Sequence, residues 1–276
     1  MSITLTNEDM SKITFRNNTM SNLYAWGKNK GFSFSDALAV PDYIVNMSNT
    51  YNSSGITNPT CGSNVVDMSN AYRNCSAITE AVCGPNVVNM SYAYSSCSNL
   101  TNAVCGPNVV NMSYAYMNCR NLTNAVCGDN VVNMSFAYKN CLSLTTAIIG
   151  ENVNVMRSAY YNCNLIDTVY MNTNNMDEFY IKANNINPNY RDVFSTNNVS
   201  KVYIKNPPTT INFNSYPFVK NITDSPSNTY DYTITLNVYI PLESGFTPNA
   251  SCIEVENGWR IDKTNIYIYK IDFSTL

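Results

Sequence analysis

The sequence predicts an α/β repeat solenoid, in which short parallel strands and short helical turns stack along one axis, with a β-rich C-terminal cap. Two observations support this prediction: several residue types recur with one common period, and each unit divides into a helical and a strand-like half. A unit of this size cannot bury its own apolar face, so its stability depends on stacking against its neighbours. The hydrophobic fraction of 45% is sufficient for one continuous core.

The repeat is visible in four columns of residues, each with a step of 22 positions. One cysteine column is Cys61, Cys83, Cys105 and Cys127, and the other is Cys75, Cys97, Cys119, Cys141 and Cys163. The methionine column is Met68, Met90, Met112, Met134 and Met156, and the tyrosine column is Tyr72, Tyr94, Tyr116, Tyr138 and Tyr160. Several columns in phase over successive units indicate a repeat architecture.

Residues 108–128 show how one unit divides. In the first half, apolar residues recur at spacings of three and four, as on one face of a short helical turn: Met112, Ala115, Tyr116 and Cys119. The second half has the spacing L-x-x-L-x-L and ends with strand alternation: Leu122, Ala125 and Cys127. Gly-Pro-Asn at 106–108 is typical of a turn, so each unit is one helical turn followed by one strand.

The unit also resembles a known family. Residues 108–123 read Asn-Val-Val-Asn-Met-Ser-x-Ala-Tyr-x-Asn-Cys-x-x-Leu-Thr, and residues 86–101 repeat this motif almost unchanged. The motif is similar to the BspA-like leucine-rich repeats of bacterial, phage and protist proteins. The match to these repeats is specific over residues 61–166. The resemblance implies a parallel-strand solenoid with a role in adhesion or surface recognition, and it implies no enzyme activity.

The periodicity predicts three parts of the chain. Residues 1–44 are an N-terminal cap or attachment segment with a degenerate first turn, and residues 45–206 are the solenoid. Strand-like segments at 167–171, 178–181 and 201–204 are expected to be degenerate turns. Residues 207–276 carry alternating strand patterns and are predicted to cap the last turn, because a terminal repeat must cover its apolar face.

The composition excludes much catalytic chemistry. The chain contains no histidine, which removes the Ser-His and Cys-His arrangements and imidazole metal sites. The 19 acidic residues form no recognisable pair for glycoside hydrolysis. The cysteines have no C-x₂-C spacing for zinc, and stacked strands about 4.8 Å apart place equivalent Cβ atoms too far apart for a disulfide. We therefore expect a protein that is not an enzyme, without metal or cofactor, and with buried thiols.

Strand alternation predicts the binding surface. If Leu122, Ala125 and Cys127 face the core, the intervening residues face outward on the concave side. The first outward ladder is Glu80, Asn102, Asn124, Thr146 and Thr168. The second is Val82, Val104, Val126, Ile148 and Tyr170, and it continues as Tyr180, Tyr203 and Tyr239. An apolar and aromatic strip with polar edges suits sugars or protein partners; the alternative is that a neighbouring subunit or the chain's own termini cover it.

The partners and the location follow from charge and from the start of the chain. A net charge of −3 argues against nucleic acid, and the N-terminal residues resemble neither an export signal nor a membrane span. We expect a bacteriophage virion-surface or tail protein, made in the host cytoplasm and used in host attachment or particle decoration. Its partners are expected to be other virion proteins, a second copy, or a host surface glycan or protein. The alternative is a microbial surface adhesin or an intracellular, cytoplasmic scaffold.

Overall fold

The computed structural model describes residues 3–10, 12–172, 193–194, 199–207, 236–245, 252–255, 258–261 and 266–275. It confirms the predicted solenoid. Equivalent residues of consecutive units are joined by isolated parallel bridges that run Thr19, Asn46, Asp67, Asn89, Asn111, Asn133 and Val155. The backbone of each unit is thus hydrogen-bonded to the units before and after it.

Short elements cover the N-terminal end of the stack. They are β1 (Ile3–Thr4), α1 (Asn7–Met10), a 3-10 turn (Arg16–Asn18), α2 (Leu23–Asn29) and β2 (Phe32–Ser33). Strand β1 pairs in parallel with β2. Leu5, Met10 and Leu23 are buried in the same apolar cluster as the repeats, so this segment extends the core of the solenoid.

A regular sheet forms along one side of the molecule towards the C terminus. Its strands are β3 (Thr146–Ile149), β4 (Thr168–Met171), β5 (Lys201–Ile204), β6 (Leu236–Pro241), β7 (Cys252–Val255), β8 (Gly258–Ile261) and β9 (Ile266–Ile271). The order is β3-β4-β5-β6-β9-β8-β7. The pairings from β3 through β6 to β9 are parallel, whereas β7, β8 and β9 pair antiparallel. The C-terminal segment therefore adds strands to the sheet of the repeats.

The segment predicted as a helical turn is a run of hydrogen-bonded turns. Ala115 N donates to Met112 O at 3.0 Å, whereas Tyr116 N donates to Ala137 O of the next unit at 2.9 Å. Positive φ angles, 59° at Tyr114 and 64° at Asn118, recur at the equivalent positions of the other units. An α-helix has neither feature. The backbone exchanges part of its local hydrogen bonds for bonds to the neighbouring unit, while the predicted apolar residues still face inward.

The inward columns form one continuous core. The methionine column (68–156) and the tyrosine column (72–160) are fully buried, as are the alanines that precede these tyrosines: Ala71, Ala93, Ala115, Ala137 and Ala159. Consecutive tyrosine rings stack on each other, with centroids 5.3 Å apart for Tyr72 and Tyr94 and 5.8 Å apart for Tyr94 and Tyr116. Each unit thus contributes one layer, and each layer packs on the next.

Glycine follows the first cysteine column because the turns approach too closely for a side chain. A Cβ at Gly84 would lie 2.7 Å from the Gly62 carbonyl oxygen and 2.9 Å from Cys61 Sγ. At Gly106 the distance to Cys83 Sγ would be 2.8 Å. The Cys-Gly pair is therefore a packing requirement between neighbouring units.

Candidate binding surface on the sheet

The strand half of each unit has the predicted alternation. Leu122 is fully buried and Ala125 and Cys127 are 8% exposed, whereas Val126 is 48% exposed. In β3 and β4 the same alternation continues, with Ala147, Ile149, Val169 and Met171 buried and Ile148 and Tyr170 partly exposed. We call the outward side chains on this side the sheet face.

The apolar ladder of the sheet face runs without a gap through the described strands. Its members are Val82, Val104, Val126, Ile148, Tyr170, Tyr203, Tyr239 and Tyr269. From β3 to β9 these residues are direct register partners on neighbouring strands. Parallel strands lie about 4.8 Å apart, so the ladder is a continuous strip along the solenoid axis.

The four tyrosines of this ladder stack on one another. The ring centroids lie 4.8 Å apart for Tyr170 and Tyr203, 4.7 Å for Tyr203 and Tyr239, and 5.7 Å for Tyr239 and Tyr269. The planes of consecutive rings differ by 13° to 26°. Because their faces contact each other, these tyrosines present ring edges and hydroxyl groups to a partner.

A polar ladder runs beside the apolar one. Its predicted members Asn102, Thr146 and Thr168 are partly exposed, and Glu80 and Asn124 are exposed. Asn124 Nδ2 donates to Asn102 Oδ1 at 2.8 Å, and each of these amides keeps further hydrogen-bonding groups. The ladder is continued by Lys201, whose Nζ lies 3.8 Å from Asp167 Oδ2.

One predicted member of the aromatic strip falls on a part of the chain that the structure does not describe. Tyr180 lies outside the described residues. The expectation that Tyr170, Tyr180 and Tyr203 occupy successive strands is wrong, because β4 pairs directly with β5 and Tyr170 is the register partner of Tyr203. The strand that contains Tyr269 was predicted from the sequence, but Tyr269 was not included in the predicted ladder. The alternation Ile266-Tyr267-Ile268-Tyr269 was the signal that could have placed it there.

Buried tyrosines hold the backbone under the sheet face. Tyr94 spans the core, where its hydroxyl accepts from Val82 N at 3.0 Å and donates to Val82 O at 2.7 Å. The same pair of bonds joins Tyr160 to Ile148 at 3.2 and 2.8 Å. In the units before β3 the strand half forms isolated bridges, such as Glu80 with Asn102. In those units the phenol hydroxyls therefore form the hydrogen bonds that the backbone N–H and C=O groups of the outward valines would otherwise lack.

The second cysteine column is buried as predicted, and its thiols are free: Cys75, Cys97, Cys119, Cys141 and Cys163. Each thiol donates to a backbone carbonyl of the preceding unit, for example Cys119 Sγ to Tyr94 O at 3.1 Å. Burial raises the pKa of Cys119 and of Cys163 to about 12. These thiols are consequently neutral and poor nucleophiles at physiological pH.

Two further properties concern the described part of the chain as a whole. Among the described residues, no group of three or more cysteine or acidic side chains is arranged to hold a metal ion. The longest helix described there is α2, with seven residues, and none has the length and apolar character of a membrane-spanning helix.

Stacked turns with a parallel sheet along one side define a repeat solenoid of the leucine-rich type. A family model for the BspA type leucine rich repeat region matches in six copies, over residues 45–167 and 113–223, which is more than half of the chain. The chain therefore belongs to the BspA-type leucine-rich repeat family. Searches among curated proteins and among solved structures gave no significant match. Repeats of this family are in general non-catalytic and serve protein binding or surface recognition.

Proposed function

We propose that this chain is a non-catalytic recognition protein that binds a protein partner through the sheet face. The observation that carries the proposal is the uninterrupted apolar and aromatic ladder, with Val104 39% and Val126 48% exposed and four stacked tyrosines beyond them. Exposed apolar strips with polar edges are characteristic of interaction sites. Tyrosine combines apolar area with a hydroxyl donor, which favours its use in interfaces.

The geometry of the rings favours a protein over a stacked sugar. A saccharide ring packs on the face of an aromatic side chain, but Tyr203 has Tyr170 on one side and Tyr239 on the other, at 4.8 and 4.7 Å. The accessible groups are ring edges and hydroxyls, flanked by Asn and Thr side chains. These groups fit backbone carbonyls and apolar side chains of another protein.

As the biological setting we propose a bacteriophage particle, with the chain on the virion surface or tail. Free cysteines in both columns support assembly in a reducing compartment, where phage particles are built. The partner at the sheet face is then another virion protein, a second copy of this chain, or a host surface protein. Mass spectrometry of purified particles tests this setting, and consistent absence of the protein from them contradicts it.

The sheet face itself is tested by replacing Tyr170, Tyr203 and Tyr239 together with serine. The variant should keep its circular dichroism spectrum, because substitution of exposed residues changes stability little. Its retention on particles or host cells should fall about tenfold or more, since interface aromatics carry much of the binding energy. Leu165→Ser is the matched control, because Leu165 is 59% exposed but belongs to neither ladder of the sheet face.

A folded triple variant that binds as well as the parent protein contradicts the sheet-face assignment. If the protein is absent from particles but cell fractionation places it on a microbial surface, the setting is wrong while the sheet face is still testable. The two parts of the proposal therefore fail separately.

A further inference from the structure

The side of the solenoid opposite the sheet carries a second surface. We define the turn face as the outward side chains of residues 68–77, 90–99, 112–121, 134–143 and 156–165. Tyr116 shows that the two sides are opposite: its backbone belongs to the turn face segment, and its hydroxyl crosses the core to donate to Val104 O at 2.5 Å. A ligand on the turn face therefore does not touch the sheet face.

Charge is unevenly distributed around the repeats. The cations of residues 61–166 are Arg73, Arg120, Lys139 and Arg157, and all of them lie in turn face segments. The acidic residues of the same stretch are Asp67, Glu80, Asp129 and Glu151, and all of them lie outside those segments. The turn face is therefore positive, although the net charge of the chain is −3.

Among the described residues, no carboxylate forms an ion pair with a turn face cation. Within the part of the chain that the structure describes, the basic partners in ion pairs are Lys12, Lys201 and Lys205, none of them on the turn face. Three of the four turn face cations, Arg73, Lys139 and Arg157, contact aromatic rings instead. Arg73 lies 5.1 Å from the Tyr92 ring, and Lys139 lies 5.5 Å from Phe136 and 4.9 Å from Tyr161. Their charge stays available to a partner while their position is restrained.

The aromatic residues between these cations form a stack of their own. Ring centroids lie 4.3 Å apart for Tyr92 and Tyr114 and 4.6 Å apart for Tyr114 and Phe136, with planes within 11° of parallel. The faces of these rings contact one another, so their edges point outward. The edge of an aromatic ring is the positive part of its quadrupole, so the stack adds to the cationic character of the surface.

The backbone conformation at the residues of this stack is better suited to other residue types. Tyr92, Tyr114 and Phe136 have φ of 57°, 59° and 58°, whereas the equivalent earlier positions are Asn49 and Asn70 with φ of 56° and 54°. Asparagine is well suited to this left-handed conformation and bulky residues are not. Strained conformations of this kind concentrate at functional sites. The aromatic residues in three consecutive units thus point to a surface role.

From charge, aromatic edges and backbone strain together, we propose that the turn face binds an acidic protein segment, rich in Asp and Glu. This goes beyond the function proposed for the sheet face. Cations, phenol hydroxyls and ring edges are all complementary to carboxylates. Units about 4.8 Å apart place the four cations along about 20 Å, which matches a short extended acidic peptide. Single-stranded nucleic acid stacks its bases on ring faces, and those faces are occupied here.

Fluorescence anisotropy with labelled poly-L-glutamate tests the proposal on the full chain. The variant Lys139→Gln/Arg157→Gln should weaken binding by about tenfold for each removed cation, and binding should decline steeply with added salt. The variant Lys12→Gln/Lys205→Gln is the control, because it removes two exposed cations that lie outside the turn face and outside both ladders of the sheet face; it should bind as the parent does. Tyr114→Asn should weaken binding while raising or maintaining thermal stability, because Asn suits a φ of 59°.

Failure of poly-L-glutamate to bind at low salt overturns the proposal, as does equal weakening by both lysine-containing double variants. Tighter binding of single-stranded DNA or of a sulfated glycan through the same residues also overturns it, because the partner class is then different. Salt-sensitive dimerisation that Lys139→Gln/Arg157→Gln abolishes would identify a second copy as the occupant and contradict the acidic-segment assignment. Circular dichroism of every variant confirms that the comparison is between folded proteins.

Discussion

Two tyrosine stacks run along the same axis on opposite sides of the sheet. The inner stack is Tyr51, Tyr72, Tyr94, Tyr116, Tyr138 and Tyr160, with ring centroids 5.2 to 5.8 Å apart and no exposed surface. The outer stack is Tyr170, Tyr203, Tyr239 and Tyr269, with similar spacing but partial exposure. In both stacks, consecutive rings belong to neighbouring layers of the solenoid and lie at similar distances. Ring spacing alone therefore does not show which stack stabilises the fold and which is available for binding.

The two stacks differ in what their hydroxyls do. Each inner hydroxyl is bonded to backbone across the core, as Tyr94 is to Val82 at 3.0 and 2.7 Å. Burial accordingly raises the pKa of Tyr51 to about 12 and that of Tyr94 well above its usual value. The outer hydroxyls are directed away from the core and are available to a partner. We therefore expect stability to depend on the inner stack and binding to depend on the outer one.

The largest expected effect is unfolding at alkaline pH. Burial raises the pKa of Cys83, Cys119, Cys127 and Cys163 to about 12, whereas unfolded thiols ionise near ~8.5. Between about pH 9 and pH 12 the unfolded chain therefore holds fewer protons, and stability falls as pH rises. Each thiol lowers the free energy of unfolding by about 1.4 kcal/mol per pH unit in that window.

Urea unfolding followed by circular dichroism at several pH values measures this dependence. Cys119→Ala should have a shallower slope by about one proton, since it removes one of the buried acids. A free energy of unfolding that stays constant up to about pH 11 would show that the cysteine columns are not buried as neutral groups.

The next largest effect separates the two stacks directly. Tyr116→Ala removes a fully buried ring and should lower the free energy of unfolding by about 3–5 kcal/mol. Tyr203→Ala removes a partly exposed ring and should lower it by about 1 kcal/mol or less. Equal losses in the two variants would mean that the outer stack belongs to the core.

Removing the hydroxyl alone should give a smaller difference. Tyr116→Phe leaves the N–H and the carbonyl of Val104 without their partner, which should cost about 1–3 kcal/mol. Tyr203→Phe should change stability by less than about 0.5 kcal/mol, because its hydroxyl is accessible to water. Chemical denaturation of both variants provides the comparison, and a neutral Tyr116→Phe would contradict the role of the inner hydroxyls.

The smallest effect is a difference in reactivity without a change in stability. Of the ten cysteines, few should react with a thiol reagent in the native protein, and all should react after denaturation. The first reaction is expected at the partly exposed Cys61, Cys83 and Cys105. Intact disulfides in the native protein would contradict both the burial of free thiols and the proposed reducing compartment.

The period of the sequence was enough to predict the solenoid and the inward columns, because each column repeats one local environment. Met112, Tyr116 and Cys119 therefore lie in the core as expected. The backbone of the same segment was not predictable from apolar spacing, since spacings of three and four fit both a helix and the observed turns. Bonds to the next unit, such as Tyr116 N to Ala137 O, select the turns.

The sequence alone determined the family, the core and the alternation of the strands, because these depend on residues close together in the repeat. The tertiary structure decided which distant residues meet. Tyr170 and Tyr203 are separated by 33 positions, which breaks the 22-residue period, yet they are register partners because β4 pairs with β5. Insertions between strands change the sequence spacing but not the strand spacing of about 4.8 Å, which is set by backbone hydrogen bonds.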